Sequence, residues 1–344
     1  MLFPQTWTEL GPTNRPGVMK QLFLDDETKK LYASSPDGGL WVYDDFTNNT
    51  LAWHTLTGKL ENLEIRAFAV ASRNILYVAT RTLKLYRSTN GGNSWQELEP
   101  DSSSGMVNVI AVPYDNPSMV FLGTVNGLFK SIDTGSTWYQ VMIGNEVTDI
   151  KIDPSSDSIL YAGVRNFGIK KSEDAGVSWS DFFPCHPRSG SIIRIALGYK
   201  NTNGTAQTAI DRSIAVKYGD SVWLKPAGSA TFFNTGFTAK FGGGSVRTDT
   251  DRRGDWCNSI NLNPFNPSEI WVGDADIHKG IVKDSDTVEW SLFTKRADKY
   301  HEDNHDFAFS KIVQDKLFKA SDGVWKFMMA LNLKAFAADL TRAR

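Results

Sequence analysis

Cysteine is nearly missing. The 344-residue chain carries two, Cys185 and Cys257, far apart and in no CxxC pair. That excludes a disulfide framework and a cysteine-based zinc site, and leaves a single bridge between the two open. Long apolar runs are lacking as well: no stretch nears the roughly 18 consecutive apolar residues of a membrane helix, so no membrane insertion is expected. No charge of one sign dominates, with Lys+Arg 37 against Asp+Glu 39. A net charge of −2 leaves no whole-chain field to recruit nucleic acid. The basic cluster Arg247, Arg252 and Arg253 is interrupted by Asp249, Asp251 and Asp255 and reads as solvated ion pairs. There is no G-x-S-x-G elbow, no P-loop and no G-x-G-x-x-G after a strand, so serine-hydrolase and nucleotide chemistry lack support. The start of the chain has neither a basic nor an apolar leader segment, and no signal peptide is expected in it.

What is abundant is tryptophan and glycine, 11 and 28 residues. They recur together. Ser88-Thr89-Asn90-Gly91-Gly92-Asn93-Ser94-Trp95, Ser131-Ile132-Asp133-Thr134-Gly135-Ser136-Thr137-Trp138 and Ser172-Glu173-Asp174-Ala175-Gly176-Val177-Ser178-Trp179 superimpose at a period of just over 40 residues. Each copy follows a short apolar run such as Ile75–Thr80, Met119–Gly123 or Ile159–Gly163, with another alternating run upstream. A unit of strand, strand, strand, S-x-[DN]-x-G-x-[ST]-W turn and strand at this period is one four-stranded propeller blade. In the turn, the Asp accepts backbone N–H bonds, the Gly takes positive φ, and the Trp packs the hairpin onto its blade.

Seven rows align as innermost strands: 18–24, 64–70, 106–112, 146–152, 191–197, 256–262 and 303–309. Their fifth position is always apolar, as Leu22, Phe68, Ile110, Ile150, Ile195, Ile260 and Phe307. The expected fold is therefore all-β, a single seven-bladed propeller over 1–327 in place of the two domains that length alone suggests. Blade 6 carries a decayed turn, Lys283 to Trp290. Blade 5 is longer, with a polar insertion near Asn201–Thr205 and a glycine run at 242–244. The last blade reads 305–309, 316–320 and 323–327 and then stops short, and Thr6–Leu10 has the look of its missing fourth strand. Pairing the chain ends closes the ring and removes a sheet edge. Residues 328–344 have helical spacing and are read as a tail.

The three turn segments resemble the Asp-box, or BNR, repeat of sialidases, family 74 xyloglucanases, sortilin-like receptors and photosystem II assembly-factor propellers. Most of the chain also resembles secreted bacterial glycosyl-hydrolase-like propellers, through Leu31–Trp41 in the first blade and His301-Glu302-Asp303-Asn304-His305 before Phe307. The resemblance makes Asn90, Gly92, Trp95, Asp133, Gly135, Trp138, Asp174, Gly176 and Trp179 the structural box residues and implies an extracellular location. No F/Y-R-I-P motif of sialidases is present. Family 74 enzymes work in a cleft between two propellers, and this chain holds one; where they carry an aspartate in the first blade stands Pro36, with Asp37 one place later. A related glycoside hydrolase would draw its carboxylate pair from Asp37, Asp149, Asp303 and Asp306.

His301–His305 also spells HExxH. Zinc proteolysis needs that spacing on a helix, whereas on a strand positions four apart lie about 13 Å apart, too far to share an ion. A weaker cation site on Asp303 and His305 is the residual metal reading; no other cofactor is implied. The third column of the inner strands is polar in six of seven rows, and with its neighbours it nominates Lys20, Arg66, Asn108, Arg194, Asn258, His301 and His305 as a channel-mouth ligand site. The expected function is a binding module for a glycan or an extracellular protein, and a monomer with no nucleic-acid partner is expected. A glycoside hydrolase and a protein-assembly factor are the alternatives.

Overall fold

The computed structural model describes residues 8–9, 18–36, 38–48, 53–58, 60, 64–72, 74–100, 103–183, 192–198, 213–219, 221–237, 259–273, 276–294, 304–312, 316–321 and 328–332. All 28 regular elements in it are strands. They form seven four-stranded antiparallel sheets, six of them built from four strands consecutive in sequence. The inner strands are Gln21–Asp25, Ile65–Ala71, Val107–Ala111, Val147–Asp153, Ile193–Leu197, Ser259–Asn263 and Asn304–Phe309, within a few residues of the aligned rows. Each inner strand contacts the next one round, and the last contacts the first, so the sheets close into a seven-bladed β-propeller.

The seventh sheet is the exception in sequence order. It pairs Asn304–Phe309, Lys316–Ser321, Met328–Asn332 and the N-terminal Thr8–Glu9. Thr8 lies opposite Ala330 and Glu9 opposite Met329, so the chain ends meet in one blade as the sequence predicts. The third strand falls later than expected. Ala320 pairs with Met328 and Lys316 with Asn332, which places the strand at 328–332 and not at 323–327. The tail reading of 328–344 is corrected to that extent: Leu331, counted there on helical spacing, sits in a strand opposite Leu317, because ladder pairing outweighs a weak local periodicity. Residues 333–344, the polar insertion and glycine run of blade 5, and both cysteines lie outside the described residues.

The hydrophobic core is divided among the blade junctions. Seven buried clusters form, and each draws its residues from two neighbouring blades. Tyr32 packs toward blade 2 while Leu31 and Ala33 pack toward blade 7. Second strands therefore bury both faces, which explains why Ile75–Thr80 and Val120–Thr124 read as continuous apolar runs. The first ring member of this alternation, Leu22, and its equivalents Phe68, Ile110, Ile150, Ile195 and Phe307 are all buried.

The three glycine turns are junction devices too. Asp133 Oδ1 accepts the N–H groups of Ser136 at 3.0 Å and Thr137 at 2.8 Å, and Gly135 has φ +88°. The sequence pattern did not reveal the part played by the leading serine: Ser88, Ser131 and Ser172 are buried, and each Oγ accepts the motif glycine's N–H at 2.8 Å. Nor did it reveal where the turn rests. A Cβ at Gly92, Gly135 or Gly176 would strike Leu56, Leu98 or Phe121, each a residue of the preceding blade. Trp95 Nε1 likewise donates across the junction to the Leu56 carbonyl at 3.0 Å. The expected packing of the turn onto its own blade is thus extended to the neighbour.

Candidate functional site

The start of each inner strand marks one mouth of the channel, and there the third-column side chains are stitched to one another. Arg66 donates to Asn108 Oδ1 at 2.7 Å. Asn108 Nδ2 in turn reaches Glu146 Oε1 and the Val147 carbonyl, both at 3.1 Å. Glu146 also pairs with Arg165 at 2.8 Å. Thr148 exchanges bonds of 3.1 Å with the N–H and carbonyl of Ile193 in blade 5, and Arg194 donates back to the Thr148 carbonyl. Lys20 Nζ lies 3.2 Å from His305 Nδ1, joining blade 1 to blade 7. The mouth thus brings together Lys20 with His305 and Arg66 with Asn108. Asn258 and His301 lie outside the described residues.

Sequence reasoning missed three members, Arg81, Glu146 and Arg165. Arg81 and Arg165 sit on turns between second and third strands, and their N–H groups bond the carbonyls of Glu64 and Glu146 beside the inner strands. Burial, opposed by Glu146 and assisted by Arg81, Arg165 and Arg194, lowers Arg66 below the ordinary guanidinium value. Three further guanidinium groups therefore act on Arg66 at this mouth. Leu83 and Phe167, on the same two turns, are exposed at 56% and 52%.

The candidate carboxylates of the fourth column have a different setting. Asp149 Oδ1 accepts the N–H of Ile150 at 2.9 Å, and its Oδ2 accepts that of Ile195 in the next blade at 2.8 Å. Asp306 repeats this with Phe307 at 2.9 Å and Leu22 of blade 1 at 2.8 Å. Gln21 fills the same slot, exchanging 3.1 Å bonds with the Phe68 N–H and carbonyl. One column thus supplies an inter-blade clasp three times over. Lys151 adds an ion pair to Asp149 at 3.2 Å. Burial raises Asp306 to about 6 against the amide bonds and the Lys151 and Arg194 charges. Asp37 and Asp303 lie outside the described residues, and with Asp303 goes half of the weak cation site. Among the described residues, no three His, Cys, Asp or Glu side chains are grouped to hold a metal ion.

Fold and mouth together define a seven-bladed propeller whose channel opening is polar and rich in arginine. No family model matches the chain. It is 25% identical over 228 residues to the xyloglucanase Xgh74A of Acetivibrio thermocellus, a match covering 51% of this chain and 27% of that protein. Among solved structures, the GH74 xyloglucanase of Xanthomonas campestris superposes with TM-score 0.68 at 17% identity, over 96% of this chain and 54% of that one. YCF48 bound to D1 peptide superposes with TM-score 0.61 at 14% identity, over 96% of both chains. The chain spans about a quarter of the length of the curated relative it matches. These likenesses establish the propeller fold.

Proposed function

We propose that this propeller is a binding module that takes a glycan or a protein segment at the arginine-rich channel mouth. The observation that carries the reading is the gathering of Arg81, Arg165 and Arg194 near enough to Arg66 to act on it, with a single carboxylate, Glu146, paired to Arg165 among them. Like charges gathered in this way favour an incoming anion, such as a uronate or a peptide carboxylate, which relieves their repulsion and accepts guanidinium bonds in pairs. Exposed Leu83 and Phe167 beside two of these arginines offer apolar contact to the same ligand. The fourth-column carboxylates support binding over hydrolysis, since both oxygens of Asp149 and of Asp306 already accept backbone amides. The likeness to a xyloglucanase and to a peptide-bound YCF48 supports a glycan or a protein as the partner. The Ser, Asp and Gly bonding of the three turns supports reading them as Asp-boxes.

The test is a glycan array and an acidic-peptide array, run beside a reducing-sugar release assay on polysaccharides. Binding is expected to weaken about tenfold in Arg66→Ala and to fall as salt rises, as it does for charge-guided recognition. Sugar release by the wild type, or binding indifferent to Arg66→Ala and to salt, would overturn the proposal.

A further inference from the structure

A second concavity lies away from the channel, where blade 1 meets blade 2. It encloses about 490 Å³ and is lined by Lys30, His54, Asn74, Asn90, Gly91 and Asn93, among others. That volume falls within the range of small-molecule sites, about 300–1,000 Å³. Three asparagines line the cavity: Asn90 Oδ1 also accepts from Ser88 Oγ at 2.9 Å and Asn93 Nδ2 donates to the Asn90 carbonyl at 2.8 Å, so Asn74 is the one whose amide no turn bond holds. The two basic groups are offset locally: Lys30 Nζ and His54 Nδ1 stand 3.8 and 3.4 Å from Asp44.

Two departures from the repeat fall on this cavity. Where the other turns hold Asp133 and Asp174, this one has Asn90, whose Oδ1 accepts the Ser94 N–H at 2.9 Å and whose Nδ2 donates to Ser94 Oγ at 2.8 Å. The turn keeps its bonding and sheds its negative charge. At the next position, Thr134 and Ala175 adopt φ of 59° and 57°, while Gly91 adopts 69°. The motif thus accepts a side chain at that point, and glycine is not demanded by its backbone. Sterics do not demand it either, because a Cβ on Gly91 would lie 3.6 Å from Asn74 Cβ, an ordinary contact. What the glycine does is leave the Asn74 amide uncovered.

We infer that this cavity between blades 1 and 2 is a binding site for a neutral saccharide unit, its hydroxyls taken by the Asn74 amide and by His54 beside the uncharged turn of Asn90 and Asn93. Hydroxyl groups donate and accept in turn, which is the pattern that amides and an imidazole complement. Lys30 is the one charged lining residue and Asp44 stands 3.8 Å from it, which separates this ligand from the anion drawn to the four arginines of the channel mouth, and the site stands independently of that reading.

The experiment titrates ¹⁵N-labelled protein with glucose, galactose, xylose and cellobiose to roughly 50 mM, following the Asn side-chain amides and the Trp95 indole. At least one sugar is expected to give saturable shifts. Gly91→Thr, which copies the second turn, is expected to weaken that binding by about tenfold. Asn74→Gly suits the left-handed φ of 60° at that position and should do the same, while Arg66→Ala leaves it unchanged. No saturable shift with any of the four sugars, or undiminished binding in both cavity variants, overturns the inference. Melting curves establish that each variant is folded, and if Gly91→Thr is not, Asn74→Gly alone decides.

Discussion

Two sets of aspartates in this protein respond to acid in opposite directions, and the cause is their surroundings. Asp133 is half-buried and accepts from Thr137 through both side chain and backbone, then from Ser131 and Ser136, which holds its carboxyl down at about 2. Asp174 is lowered in the same way, chiefly by Ser178. A folded value below the unfolded one means stability that is present above about pH 4 and lost as pH falls toward 2. Asp133→Asn should therefore melt below the wild type at pH 7, with the gap closing near pH 2 in a series of thermal melts. Asp306 has the reverse sign. Its value of about 6 lies above the unfolded 3.8, so the fold takes up a proton more readily than the open chain does. Acidification from pH 7 to 4 should stabilise through this residue by up to about 3 kcal/mol, and a carboxyl resonance of Asp306 titrating near pH 6 is the direct check.

At the scale of the element, the S-x-[DN]-x-G-x-[ST]-W turn joins one blade to the one before it. Gly176→Ala places a methyl 2.6 Å from Phe121 Cε1 at a φ of 81°, and neither the ring nor the backbone has room to yield. Denaturant unfolding should show a loss of about 2–4 kcal/mol, against about 1–2 kcal/mol for Gly91→Ala, which meets the same left-handed φ but no clash. The turn itself was legible in the sequence because serine, aspartate, glycine and tryptophan recur in one register, and so were the seven inner strands, through their alternation. Its partner across the junction was not, since Leu56, Leu98 and Phe121 share no pattern with the glycines that rest on them. The mouth was half legible for a similar reason. Lys20, Arg66, Asn108 and His305 stand in one column, whereas Arg81, Glu146 and Arg165 arrive from connections whose position depends on how the blades lean together. Gln21, Asp149 and Asp306 also share a column, and their common role as clasps needed the neighbouring amides of Phe68, Ile195 and Leu22 to be seen.

For the whole molecule, stability is distributed around a ring whose seven clusters each depend on two blades. Among the described residues, no blade holds a core of its own. Removing residues 1–9 takes away the strand that pairs with Met328–Asn332 and bares its edge. That deletion should lower the melting temperature by about 5 °C or more and promote association, which scanning calorimetry and light scattering would detect. An unchanged melt would mean that the blade junctions alone hold the ring.

The pairing of Thr8 with Ala330 also sets an order of events during synthesis. Thr8–Glu9 has no partner until Met328–Asn332 follows, some three hundred residues later. Through that interval blades 1 to 6 can assemble against each other, while blade 1 still shows the apolar face that Phe318 and Ala320 will cover. The ring is thus most prone to mispairing just before Met328–Asn332 is made, and the step that closes it is a choice between its own Thr8–Glu9 strand and a neighbour's.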